Sequence, residues 1–165
     1  DKGDLKLKKE ELDLHEIINE VSGNILIQVE SKLGNIVRDL HAKKSLITAD
    51  RVHVTNLIYN LLDNANKYSP LTPEITIKTT NLKAGILLTV ADKGQGIKRD
   101  NLSKIFEKFY RVPMGNVHNV KGFGLGLNYV KAIVGRHGGE ITASSVFGKG
   151  TTFKIYLPFH HNEIS

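Results

Sequence analysis

The sequence predicts an α+β sandwich: one sheet, mixed but mostly antiparallel, packed on three helices. Three observations predict it. Apolar residues recur at helical spacing in three separate stretches, short alternating stretches between them read as strands, and most of those strands are neighbours joined by turn residues.

The elements follow in order. Leu5-Lys6-Leu7-Lys8 alternates and predicts a short first strand. From Asp13, a plausible N-cap, Leu14, Ile17, Ile18, Val21, Ile25 and Val29 fall on one helical face, and Gly34-Asn35 closes that helix. Ile36-Val37 and Leu46-Ile47 read as two short strands joined by a polar turn. A second helix starts at Asp50 with Val54, Leu57, Ile58, Leu61, Leu62 and Ala65 as its apolar stripe, and Ser69-Pro70 ends it. Residues 74–80 and 86–91 form an antiparallel hairpin around Lys83-Ala84-Gly85. Residues 93–124 show no sustained period, and a stretch that long inside a small domain is more often a functional lid than filler. A third helix runs from Leu125 to His137, and residues 140–145 and 151–157 make a last hairpin across Phe147-Gly148-Lys149-Gly150. Residues 1–159 are expected to be one domain and residues 160–165 a frayed tail.

Composition narrows the class. In 165 residues, 40% are hydrophobic and 24% charged, which describes one soluble globular domain large enough to hold a core. With no Cys, a disulfide framework, a thiolate zinc site and a thiol nucleophile are excluded, and a reducing compartment is expected. Apolar runs such as Gly85-Ile86-Leu87-Leu88 are far too short to span a bilayer. The single Met is Met114, so Asp1 is not a translational start and a larger parent protein is expected. The net charge of +6 is uneven: residues 83–165 carry 12 basic and 5 acidic groups. Lys93, Lys98, Arg99, Lys104, Lys108, Arg111 and Lys121 cluster against Asp100 and Glu107 alone, which predicts an anionic ligand or partner there. Nucleic acid is disfavoured, because aromatics are few and no DNA or RNA motif appears.

Three constellations carry chemistry. On the second helix, Asn60, Asn64 and Lys67 share the face turned away from Leu61 and Leu62. Asn is a poor residue inside a helix, so repeating it at 56, 60 and 64 costs stability that Lys or Glu would not. Amide oxygens suit Mg²⁺ and an ammonium suits phosphate, although an ordinary polar helix side would look similar. After the apolar strand, Asp92-Lys93-Gly94-Gln95-Gly96-Ile97 sets an acid at a strand end before two glycines that allow close backbone approach; a plain turn can use the same glycines. Gly122-Phe123-Gly124-Leu125-Gly126-Leu127 opens the third helix, where free N–H groups can bind phosphate. It is not the dinucleotide fingerprint, since Leu127 stands where a glycine is required. Gly148-Lys149-Gly150 is not a P-loop either.

Taken in order, the Asn-rich helix, Asp-x-Gly-x-Gly-Ile, Ile105-Phe106-Glu107-Lys108-Phe109-Tyr110-Arg111 and Gly-x-Gly-Leu-Gly-Leu closely resemble the ATP-binding catalytic domain of sensor histidine kinases. They look like that family's N box, first glycine box, F box and second glycine box. His137-Gly138-Gly139-Glu140-Ile141 and Gly150-Thr151-Thr152-Phe153 resemble its closing segments, so the likeness covers residues 5–159. It implies the Bergerat ATP-binding fold, with ATP and Mg²⁺ as cofactors. It further implies that Asn64 holds Mg²⁺ with Asn60 beside it, that Lys67 contacts phosphate, and that Tyr68 lies next to the nucleotide. By the same likeness Asp92 accepts a hydrogen bond from the adenine amine, with Gly94, Gly96 and Ile97 shaping that pocket. Phe109, Arg111, Lys121, Gly122, Gly124, Leu125, Gly126, Leu127 and Thr152 complete the implied nucleotide set, and residues 97–123 form the lid. Phe123 and Asn128 depart from the family's usual small residue or Thr and usual Ser, which touches lid detail only.

The implied function is transfer of the γ-phosphate to a histidine on a separate dimerisation domain of the parent kinase, Asn60 and Lys67 acting at the phosphates. A response regulator would lie downstream. Neither nucleic acid nor direct membrane contact is expected of this domain, which would be a cytoplasmic part of a membrane-anchored sensor. A hydrolytic relative of the superfamily is the alternative, but those carry a Glu general base where Asn60 stands, and an amide cannot take that proton. A serine-kinase anti-sigma factor would lack the Phe-containing segment 105–111, and a nucleotide-binding scaffold without turnover fits less well with intact Asn64 and Asp92. His15-Glu16-Ile17-Ile18 does not match the acceptor motif, so the chain is expected to bind ATP without phosphorylating itself.

Overall fold

In the computed structural model, which describes residues 6–107 and 126–160, two aspartates start the two long helices in the same way. Asp13 accepts a hydrogen bond from the His15 N–H (2.9 Å) to open α1 (Leu14–Ser31), and Asp50 accepts one from the His53 N–H (3.1 Å) to open α2 (Arg51–Lys67). Each carboxylate satisfies an orphan amide of the first turn and complements the positive end of the helix. The predicted stripes become the core: Leu14, Ile17, Ile18, Val21, Ile25 and Val29 of α1 and Val54, Leu57, Ile58, Leu61, Leu62 and Ala65 of α2 are all buried.

The main sheet has the order β2-β4-β5-β7-β6, from β2 (Asn35–Leu40), β4 (Glu74–Leu82), β5 (Gly85–Asp92), β6 (Glu140–Val146) and β7 (Gly150–Pro158). All neighbours are antiparallel except β2 and β4, which run parallel. Alternation selects the inner face: Ile75 and Ile77 of β4, Ile86, Leu88 and Val90 of β5, and Phe153, Ile155 and Leu157 of β7 are buried against the helices. The residues between them form the outer face, more exposed to solvent.

Three expectations are corrected. The first strand, β1 (Lys9–Asp13), lies just beyond the alternating residues 5–8. It pairs with β3 (Leu46–Asp50) as a separate two-stranded sheet, so the described residues form two sheets where one was expected. β2 and β3, which the polar turn joins, lie in different sheets, β2 adding to the main sheet alongside β4. The aperiodic stretch also holds one short helix, α3 (Arg99–Leu102), while α4 (Gly126–Arg136) matches the third predicted helix within a residue at each end. Among the described residues no helix is long and apolar enough to cross a membrane.

Candidate functional site

The site is assembled where the C-terminal half of α2, the end of β5 and the start of α4 meet. On α2, Asn60, Asn64 and Lys67 are half-buried on one face while Leu57, Ile58, Leu61 and Leu62 face the core. Gly126 opens α4 beside this face: a Cβ placed on it would lie 3.5 Å from Asn60 Oδ1. Residues far apart in sequence thus bring an amide side chain and a helix N-terminus together. α4 is held there by Tyr129, whose hydroxyl meets His53 Nδ1 (2.6 Å) and the Asn56 amide, which fastens two helices rather than facing a ligand.

Asp92 ends β5 on the inner side of the sheet. Its Oδ1 accepts the Gly94 N–H (2.8 Å) and its carboxylate also accepts the Thr151 N–H. Burial nevertheless dominates, pushing the carboxyl up to about 6, and the two N–H donors offset only part of that. A titratable acid so displaced at a strand end is a candidate ligand-reading group.

The loop after Asp92 is strapped on two sides. The Gln95 N–H donates to Tyr68 O (3.0 Å) at the end of α2, and the Gly148 N–H donates to Gln95 O (2.6 Å) from the β6–β7 turn. The Ile97 N–H donates to Ser145 Oγ (2.7 Å), whose hydroxyl in turn reaches Gly150 O (2.8 Å). These straps explain the glycines. A Cβ on Gly94 would run into Tyr68 O, and Gly96, at φ 73°, would drive one into Val146 O. Both glycines are required by the protein's own backbone before any ligand arrives.

Tyr68 caps α2, and Ile97 and Leu127 pack partly buried against the core. Thr152 is not brought into the group: it pairs with Ala91 across the sheet, and strand alternation sets it on the outer face. Its neighbour Thr151, 7% exposed, is the residue that meets Asp92. The sequence carried that signal, since Phe153, Ile155 and Leu157 mark the odd positions of β7 as inward. Asp63 was also passed over; its Oδ2 pairs with Lys67 Nζ at 2.8 Å. Within residues 97–107, the described part of the expected lid, Ile105 is buried and Phe106 meets Phe153 edge-on at 6.3 Å between ring centroids. Phe109, Arg111, Lys121, Gly122, Gly124 and Leu125 lie outside the described residues.

The donor set fits a hard cation that takes few protein ligands. Amide oxygens of Asn60 and Asn64 stand on one face, and no cluster of three or more His, Asp or Glu exists among the described residues to form an all-protein cage. Mg²⁺, which keeps most of its water and shares phosphate oxygens, suits such a face.

The described site thus sets an Asn-bearing helix against a mixed sheet, with the α4 N-terminus beside Asn60 and an acid at the end of β5. Residues 49–161 match the family described as histidine kinase-, DNA gyrase B- and HSP90-like ATPase, and the chain belongs to that family. It is 45% identical over 161 residues to the Sensor protein RprX of Bacteroides fragilis (strain YCH46), covering 95% of this chain and 31% of RprX. It is 34% identical over 129 residues to the Sensor histidine kinase WalK of Bacillus subtilis (strain 168), covering 77% of this chain and 21% of WalK. The chain therefore spans less than a third of either relative. The nucleotide-free catalytic domain of histidine kinase ThkA has the same fold, with a TM-score of 0.82 at 23% identity, covering 94% of this chain and 100% of ThkA's. The mycobacterial sensor histidine kinase MprB gives a TM-score of 0.76 at 25% identity, covering 93% of this chain and 99% of its own.

Proposed function

We propose that residues 1–159 bind Mg·ATP and deliver its γ-phosphate to a histidine on a separate dimerisation domain of a longer sensor kinase, which feeds a response regulator. The observation that carries this reading is the convergence of Asn60 on α2 and Gly126 at the start of α4, with the half-buried acid Asp92 at the end of β5. Asp92 accepts the exocyclic amine of adenine; as a carboxylate it offers acceptors only, so it favours a base that presents N–H there. Lys67 and the α4 N–H groups take phosphate oxygens, Asn64 with Asn60 holds Mg²⁺, and the metal supplies charge neutralisation at the phosphates. Phosphoryl transfer asks mainly for positioning and charge stabilisation, and the accepting imidazole is itself the nucleophile. No general base is therefore needed at position 60, and an Asn there favours transfer over hydrolysis. The parent is read as a membrane-anchored sensor carrying this domain in the cytoplasm. Asp92→Ala should weaken ATP binding about 10- to 150-fold, the loss of a hydrogen bond to a charged group of ~1.5 to 3 kcal/mol. Isothermal titration calorimetry that finds unchanged affinity removes adenine from this pocket.

A further inference from the structure

The phosphate-facing side of α2 carries a carboxylate that the nucleotide reading leaves without a task. Asp63 and Lys67 stand one turn apart, Oδ2 and Nζ 2.8 Å apart, with side chains 14% and 26% exposed. Asn60, Asp63, Asn64 and Lys67 are spaced i, i+3, i+4 and i+7, so all four lie on one stripe of the helix. We propose that Asp63 is a positioning residue for Lys67, fixing the ammonium where nucleotide phosphate meets it. The proposal rests on the reading of Lys67 as a phosphate ligand.

The argument is one of reach and donor count. A lysine stem has many rotamers, and a ligand that must order it binds more weakly by that entropy. A partner already holding the ammonium removes part of the cost. The acid lies N-terminal to the base at i, i+4, the favourable orientation for a helical pair, and its partial burial screens it less than a surface pair. An ammonium has three N–H donors and can hold a carboxylate and phosphate oxygens together. Asp63 does not itself touch the nucleotide in this account.

The test is a ligand series on the isosteric Asp63→Asn variant, titrated calorimetrically with Mg·ATP and with adenosine. ATP affinity should fall about tenfold while adenosine affinity stays as in the parent chain, since only phosphates read Lys67. Lys67→Met should lose ATP affinity similarly, and the double variant should lose no more than either single one. Asp63→Glu, which keeps a helical ion pair, should retain ATP binding within about threefold. Equal losses for ATP and adenosine, an ATP affinity unchanged or raised in Asp63→Asn, or additive losses in the double variant would overturn the role of Asp63. An unchanged ATP affinity in Lys67→Met would overturn the phosphate reading beneath it.

Discussion

On the proposed reading Asp92 meets two demands that oppose each other: it is withdrawn from water to read a base and ionised to accept from it. Burial pushes its carboxyl up to about 6, so it is charged at neutral pH yet weakly solvated, and a ligand N–H would add to the Gly94 and Thr151 donors it already has. Asn64, as the proposed metal ligand, would answer a different need, offering an oxygen without adding charge beside phosphate. Asn64→Ala should remove the Mg²⁺-dependent tightening of ATP while leaving metal-free ADP binding largely intact; titrations with and without Mg²⁺ that show the same metal dependence as the parent chain would move the ligand elsewhere. Leu33 tests the backbone instead. It sits at φ 62° after α1 and is 86% exposed, a left-handed conformation that suits glycine. Leu33→Gly should therefore stabilise the domain by about 0.5 to 1 kcal/mol, the αL cost of a side chain less the entropy of glycine, read from the urea midpoint. A lower midpoint would contradict that backbone.

At the scale of elements, His137 joins three of them. Its Nδ1 donates to Ile133 O (2.8 Å) at the end of α4 and its Nε2 accepts the Asp50 N–H (3.0 Å) where β3 passes into α2. Acceptance at Nε2 requires the neutral ring, whereas the Nδ1–H bond survives protonation. Burial lowers its proton affinity most, with Lys9 and His53 adding to that and the Ile133 carbonyl and Asp50 opposing. The folded value lies below the unfolded one, so the stability it contributes is complete above about pH 6.5 and is lost as pH falls below it. Asp92, raised in the fold, acts with the opposite sign between about 6 and 3.8. The non-titrating His137→Gln variant isolates the effect: between pH 7.5 and 5.5 the parent chain should lose more unfolding free energy than the variant, by up to about 1.4 kcal/mol per pH unit. Equal slopes would remove His137 from the acid response.

Elements were legible where information is local. The apolar stripes and capping aspartates of α1 and α2 lie within one turn of each other, so periodicity located both helices. Strand partners were not legible, because Ile36-Val37 has the same pattern whether it pairs with β3 or with β4. The Asn face and Asp92 could be read for the same reason as the helices. The straps from Ser145 and Gly148 could not, since they join loops about 50 residues apart.

For the whole molecule, charge now has a place. The basic excess of residues 83–165 belongs to the segment between β5 and α4 and its flanks, where Lys93 approaches Glu74 (4.0 Å) and Lys98 lies over the Phe147 ring (5.1 Å). The described start of that segment is strapped to the end of α2 through Gln95, and on the proposed reading its charge suits a polyphosphate and an acidic partner surface better than nucleic acid. On the proposed reading, Asn at position 60 and a His15 segment unlike the acceptor motif both fit a domain that phosphorylates a histidine on another domain. The direct measurement supplies γ-³²P-labelled Mg·ATP to this chain with and without the separately prepared dimerisation domain of a parent kinase. The account predicts acid-labile, alkali-stable label on the added domain and none on this chain alone. Label on this chain by itself, or rapid phosphate release with no labelled protein, would contradict it.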